Sequence, residues 1–377
     1  MRELAIAAGK TTIRHQLLST ASALALLVLG SPVTASEAGS GDTDHPTVWI
    51  EIGAQMEHVT GQGEAFVPDF LSVNSDSPVL GAITPVQAQR SLPFSFAEEG
   101  RISIQPEGSR WELSAAVNYG RSSTFKHIHH QTDRANQEYH GYFTTAEDFA
   151  DTKSHRNESH MILDFLAGRE VGLGMFGRNA SSTLSFGIRF AQFSSKETVG
   201  IRARPDLGEK YFTPPPPYTQ RFALIHFHAY YATGQASRGF HGIGPSLSWT
   251  GVAPVIGSAA TGEVALDWGA NAALLFGRQK TRVQHLESGH YKSQGLENFQ
   301  YQLVYQNAGG HAGDRSVVIP NAGGFAGVSY RVENFKVSAG YRADFFFDAI
   351  DGGIDTRKSE TLGFYGPFAT ISIGLGG

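Results

Sequence analysis

The sequence predicts an all-β fold: a single-chain antiparallel transmembrane β-barrel of about twelve strands, with ten to fourteen open, behind a cleaved signal peptide. Three observations predict it. The N-terminus runs from positive charge to an apolar stretch to small residues. The rest alternates apolar and polar residues with period two. The composition, 44 Gly, 25 Phe, 13 Tyr and no Cys, favours strands and turns and excludes a disulfide scaffold or any thiol chemistry.

Arg2, Lys10 and Arg14 precede the apolar run at about 17–29, which is too short to span a bilayer as a helix. Val33-Thr34-Ala35 follows, so cleavage near Ala35 is expected, giving a signal peptide over 1–35, a linker over 36–46 and a barrel over 47–377. Removing Arg2, Glu3, Lys10 and Arg14 takes the formal charge two units below −5. A mildly acidic exported product argues against nucleic-acid binding.

The alternation is clearest in four segments. Val264, Leu266, Trp268, Ala270, Ala272, Leu274 and Phe276 form one face, with Asp267, Gly269 and Asn271 among the residues of the other. Phe335, Val337, Ala339, Tyr341, Ala343 and Phe345 alternate with Lys336, Ser338, Gly340, Arg342 and Asp344. Trp111 to Gly120 and Leu184 to Ala191 repeat the pattern. Because lipid lies on one side of such a strand and polar groups on the other, the apolar faces should point outward. Trp49, Trp111, Tyr119, Trp268, Ala270, Phe276, Phe335, Tyr341 and Phe345 are the expected lipid-facing or interfacial residues. Asp164, Arg189, His226, His228, Asp267, Asn271, Lys336, Arg342 and Asp344 are the expected lumen lining. On this assignment Ala270→Arg should impair assembly and Asn271→Arg should be tolerated.

Strands are expected near 47–58, 100–106, 110–124, 158–171, 181–194, 220–233, 238–250, 263–277, before 332, at 335–346 and at 360–375. Tight turns fall at Pro106-Glu107-Gly108-Ser109, Gly234-Gln235-Ala236-Ser237 and Val332-Glu333-Asn334. Long outer loops are expected near 59–100, 126–157 and 196–219, the last containing Pro214 to Pro217. Both ends of such a barrel lie on one side of the membrane, so strand number is even, and 298–306 supplies the missing strand.

Gly172-Leu173-Gly174-Met175-Phe176-Gly177 matches a dinucleotide fingerprint, but a strand follows it where a helix is required, so it reads as a turn. His127, His129 and His130, with His155 and His160, are weak metal candidates in a loop without ligand geometry. No catalytic residue or cofactor is expected.

Phe240-His241-Gly242-Ile243-Gly244-Pro245, followed by Trp249, Pro254 and Ala272-Ala273-Leu274-Leu275-Phe276-Gly277, resembles the Legionella-type major outer membrane protein family of pore-forming barrels. Trp49-Ile50-Glu51-Ile52-Gly53 and Gly187-Ile188-Arg189-Phe190 fall in a similar order. The chain departs from many such barrels in ending Ile373-Gly374-Leu375-Gly376-Gly377, without a terminal aromatic. The resemblance implies a porin-like channel for passive diffusion of small solutes in a bacterial outer membrane. Outer-membrane lipid, lipopolysaccharide and the barrel-assembly machinery are the implied partners, and oligomeric state stays open. A non-conducting surface barrel acting through its outer loops is the alternative, and a barrel-borne hydrolase a remote one.

Overall fold

The computed structural model describes residues 48–61, 94–107, 109–139, 142–171, 181–204, 207–212, 222–258, 260–294 and 300–375. The proposed signal peptide, most of the 59–100 loop, the Gly172–Gly177 turn and Pro214–Pro217 lie outside these residues. Every regular element among the described residues is a strand. They are β1 (Val48–Thr60), β2 (Ser95–Ile104), β3 (Trp111–Tyr139), β4 (Tyr142–Glu170), β5 (Ser181–Arg204), β6 (Leu207–Phe212), β7 (Phe222–Ser258), β8 (Gly262–Gln294), β9 (Gln300–Val332), β10 (Phe335–Asp351) and β11 (Ser359–Leu375).

Each ring strand pairs antiparallel with its neighbours, β1 with β11 and β5 with β7, so ten strands close into a barrel. The short β6 stands outside this ring and pairs with β7 beyond the end of β5. Both ends of the barrel chain, Val48 and Leu375, are paired at one end, here called the lower end. The short connections between β2 and β3, β7 and β8, and β9 and β10 lie there too. The β9–β10 connection is a two-residue turn with Glu333 at φ 48°, the left-handed conformation that hairpin turns of this length require.

The count is ten rather than twelve because two expected breaks are absent. The expected strands 220–233 and 238–250 are one 37-residue strand. Ala232, Gly234, Ala236, Arg238 and Phe240 are all buried while the residues between them are not, so alternation runs straight through Gly234-Gln235-Ala236-Ser237. Gly234 and Ala236 lie on the lumen side of a continuous strand and not in a turn. The expected strand at 298–306 is likewise the beginning of β9, not a separate element.

Residues 126–157, expected as a long loop, form the upper part of the β3–β4 hairpin, paired as far as Tyr139 with Tyr142. Much of 196–219 is also strand, in β5 and β6. Above the apolar belt neither strand face need be apolar, so the period-two signal fades although the ladder continues.

Facing is the inverse of a water-soluble β-sandwich. Ile52, Phe96, Leu113, Phe165, Phe186, Leu247, Phe276, Val328, Tyr341 and Ile371 represent the ten ring strands, and all are exposed. They form a belt around the lower part of the barrel, and an exposed apolar surface that meets every wall marks an interaction face. Trp111, Tyr119, Ala270, Phe276, Phe335, Tyr341 and Phe345 are exposed on this face. Trp49 does not share it. Trp49 pairs with buried Gly374 while neighbouring Ile50 pairs with exposed Ile373, so the indole takes the lumen-side parity, beneath the Arg331 guanidinium at 5.3 Å.

Candidate functional site

The lumen is the place where chemistry-bearing side chains converge, and it is built in layers. Near the lower end the Asp267 carboxylate accepts from Lys336 Nζ at 2.6 Å and from Ser329 Oγ at 3.0 Å. Ser372 Oγ donates to Glu51 at 2.9 Å. Glu51, Ser372 and Lys336 are direct cross-strand partners in turn, and such partners share a face, here the inward one.

One layer higher, Arg189 on β5 donates from Nε and Nη2 to the two oxygens of Asp164, both at 2.7 Å. Its Nη1 reaches Asn271 at 2.8 Å, and also Asn321, with Asp344 at 3.8 Å. Arg342 pairs with Glu99 and lies over both the Phe325 and Phe368 rings at 5.5 and 4.9 Å, the rings themselves meeting edge to face at 5.9 Å. A polar cavity of about 80 Å³ adjoins this layer, lined in part by Arg101, Asn118 and Ser248. The structure therefore brings Asp164, Arg189, Asn271, Arg342 and Asp344 together, with Asp267 and Lys336 below. His226 and His228 lie on β7, and their side chains are outside the described residues. His127 pairs with Asp151, while the side chains of His129 and His130 are not described.

Above the charges the lumen becomes apolar. Phe193, Phe240, Leu275, Ile319, Phe346 and Phe364 belong to one buried cluster, all at most 3% exposed. Phe193 meets Phe346 at 4.6 Å and Phe364 at 5.5 Å. Since β5 and β11 stand opposite each other in the ring, the Phe193–Phe364 contact crosses the whole lumen. Glycines make room for these rings. A Cβ at Gly277 would lie 2.2 Å from the His241 carbonyl and 2.8 Å from the Phe240 ring.

No family model matches the sequence, and no curated protein matches it.

A second polar layer covers the aromatic one, above the belt. His160 Nε2 lies 3.3 Å from Glu57, both buried, and its ring rests on Phe364 at 4.2 Å. Burial pushes the Glu158 carboxyl up to about 8, with nearby Arg156 pulling it down and Glu57 pushing it further up, so it holds its proton at neutral pH. Glu197 is pushed up by burial against the pull of Arg156 and Arg238.

The β10–β11 connection folds across this layer as a strap. Arg238 Nη2, from β7, donates to the Gly352 and Gly353 carbonyls at 3.3 and 3.1 Å. His311 Nε2 meets Asp351 at 3.0 Å and its Nδ1 meets the Ile354 carbonyl at 2.8 Å, while His285 meets Asp355 at 2.6 Å. Asp351 also accepts from the Gly353 and Lys358 amides. Among the described residues no group of three His, Asp or Glu is arranged to hold a metal ion.

Sequence reasoning missed Phe193, Phe240, Phe346 and Phe364 as lumen residues because it assigned aromatics to lipid. A usable signal is present: Phe193 shares parity with Arg189, Phe240 with Arg238, and Phe346 with Asp344.

Proposed function

We propose that the chain is a β-barrel of a bacterial outer membrane whose lumen is closed to solutes and which acts as a binding or structural protein through its strand extensions. The Phe193–Phe364 contact carries the reading: side chains from opposite walls touch, and charged layers above and below hold them. Ten strands lie near the size at which side chains fill a barrel rather than leave a channel. The membrane part of the reading rests on the outward apolar belt. On β1 the belt runs from about Val48 to Met56, close to the roughly 9–11 residues a tilted strand needs to cross a bilayer.

The extensions supply the working surface. The ladders of β3–β4, β5–β7 and β8–β9 continue well above the belt, where lipid contact gives no reason for them. A porin-like channel is favoured by one feature, the polar cavity beside Arg189, but about 80 Å³ holds only a handful of water molecules.

The test is reconstitution of the refolded full chain. It should resist extraction from vesicles by alkaline carbonate, migrate as a heat-modifiable band, and give no unit conductance steps in planar bilayers. Discrete steps from the unaltered protein would return it to passive diffusion. Full solubility without detergent would remove the membrane assignment.

A further inference from the structure

We infer that the outward face of β5, β7 and β8 above the apolar belt is a binding site for a phosphorylated membrane lipid, its phosphate between Lys196 and Arg282 and its acyl chains on the belt below. This rests on the membrane reading above. On β8 the outward residues change at one step from Leu274 and Phe276 to Arg278, Lys280 and Arg282, all exposed. The ladder fixes their neighbours. His241 pairs with Arg278, Gly239 with Lys280, and Ser237 with both Arg282 and Lys196.

Paired residues share a face, so Lys196 and Arg282 flank Ser237 at two strand spacings, about 10 Å. Ser237, Gly239 and Ser194 fill the middle with the smallest side chains, leaving a shallow cradle between taller cations. Arg278 and Lys280 share the carboxylate of Asp314 at 3.3 and 3.7 Å. Among the described residues Lys196 and Arg282 have no carboxylate partner. The acidic neighbours Glu158 and Glu197 are buried on the lumen side. Among the described residues of this patch, Lys196, Arg278, Lys280 and Arg282 thus face Asp314 alone, in a protein whose formal charge is −5.

Charge complementarity selects an anionic headgroup, and position selects a lipid. Ile243 and Phe276 are exposed at the top of the belt, next below Arg278 and about 20 Å along the strands from Ser237 and Arg282, so the ligand must extend from the belt past Arg278 and Lys280 to reach Lys196 and Arg282. A ligand spanning both surfaces needs phosphate at one end and hydrocarbon at the other. Cations at a membrane rim hold anionic lipid by electrostatic attraction and charge-assisted hydrogen bonds.

The experiment uses the full refolded chain in nanodiscs of zwitterionic phospholipid doped with a bisphosphorylated glucosamine lipid or its dephosphorylated counterpart, with retained lipid read by native mass spectrometry. The unaltered protein should retain the phosphorylated lipid selectively. Lys196→Gln/Arg282→Gln should lower that retention by about tenfold to thirtyfold, whereas Arg169→Gln, exposed near the lower end, should not. Equal retention of both lipids, or no loss in the double variant, overturns the site while leaving the barrel in its membrane. Failure to enter nanodiscs of any composition overturns the membrane reading instead. Competition by the soluble bisphosphorylated sugar at the same concentration as the lipid would overturn the acyl half of the site.

Discussion

Arg189 and Asp164 form a two-pronged ion pair across the β4–β5 ladder, both bonds 2.7 Å, and the same guanidinium bridges to Asn271 on β8. One side chain therefore ties several walls of the barrel together.

Removing that cation should be the costliest polar substitution in the lumen. Arg189→Ala leaves Asp164 and Asp344 buried without their shared partner, and breaking such a pair costs about 3–5 kcal/mol. Unfolding in urea from vesicles should show this loss, and Arg189→Met combined with Asp164→Asn should recover part of it. Equal losses in both would mean that the pair contributes through packing alone.

The aromatic layer makes its own prediction. Phe193 contacts rings from β7, β10 and β11, so Phe193→Ala should lower stability by about 3–5 kcal/mol through lost burial and a residual cavity. Phe193→Leu should cost clearly less. The unfolding midpoint of each reconstituted variant is the measurement.

Ala270 and Asn271 separate the two faces. Ala270→Arg sets a charge on the apolar belt at about 2–4 kcal/mol and should reduce membrane insertion. Asn271→Arg, acceptable from the sequence alone, sets a second guanidinium where Arg189 needs an acceptor. It should insert yet unfold more easily, by about 1–3 kcal/mol. Comparing the vesicle-bound fraction with the urea midpoint distinguishes the two effects.

The strap over the upper layer should respond to pH. Burial disfavours the charged His311 ring, but its bonds to Ile354 and Asp351 outweigh this and raise its pKa. Burial also opposes the Asp351 carboxylate, while bonds from His311, Lys358 and Gly353 carry its pKa below the usual value. The raised histidine contributes fully below its ordinary value of about 6.5 and less as pH rises through the raised one. The lowered carboxylate contributes above about 4 and less as pH falls through its lowered value. The strap should therefore be held best between roughly pH 4 and 6.5 and loosen in alkali. A spin label at Thr356 should become more mobile from pH 6 to pH 9, and His311→Gln should flatten that profile. A pH-independent label in the unaltered protein would contradict this.

By itself the sequence determined the β-class and the facing of the lower strands. Period-two alternation around Val264–Phe276 and Phe335–Phe345 reports directly which side of each strand carries the apolar residues, and the parity of Asp164, Arg189, Asp267 and Asn271 was legible for the same reason. Only the tertiary structure decided the strand count and the state of the lumen. Gly234 looks like a turn residue locally, and only its neighbours on β5 and β8 show that it continues a ladder. Whether Phe193 faces a channel or another ring depends on β11, which stands opposite it in space and far from it in sequence. Alternation encodes one strand's two faces, whereas closure of a lumen is a property of walls that meet only after the ring has formed.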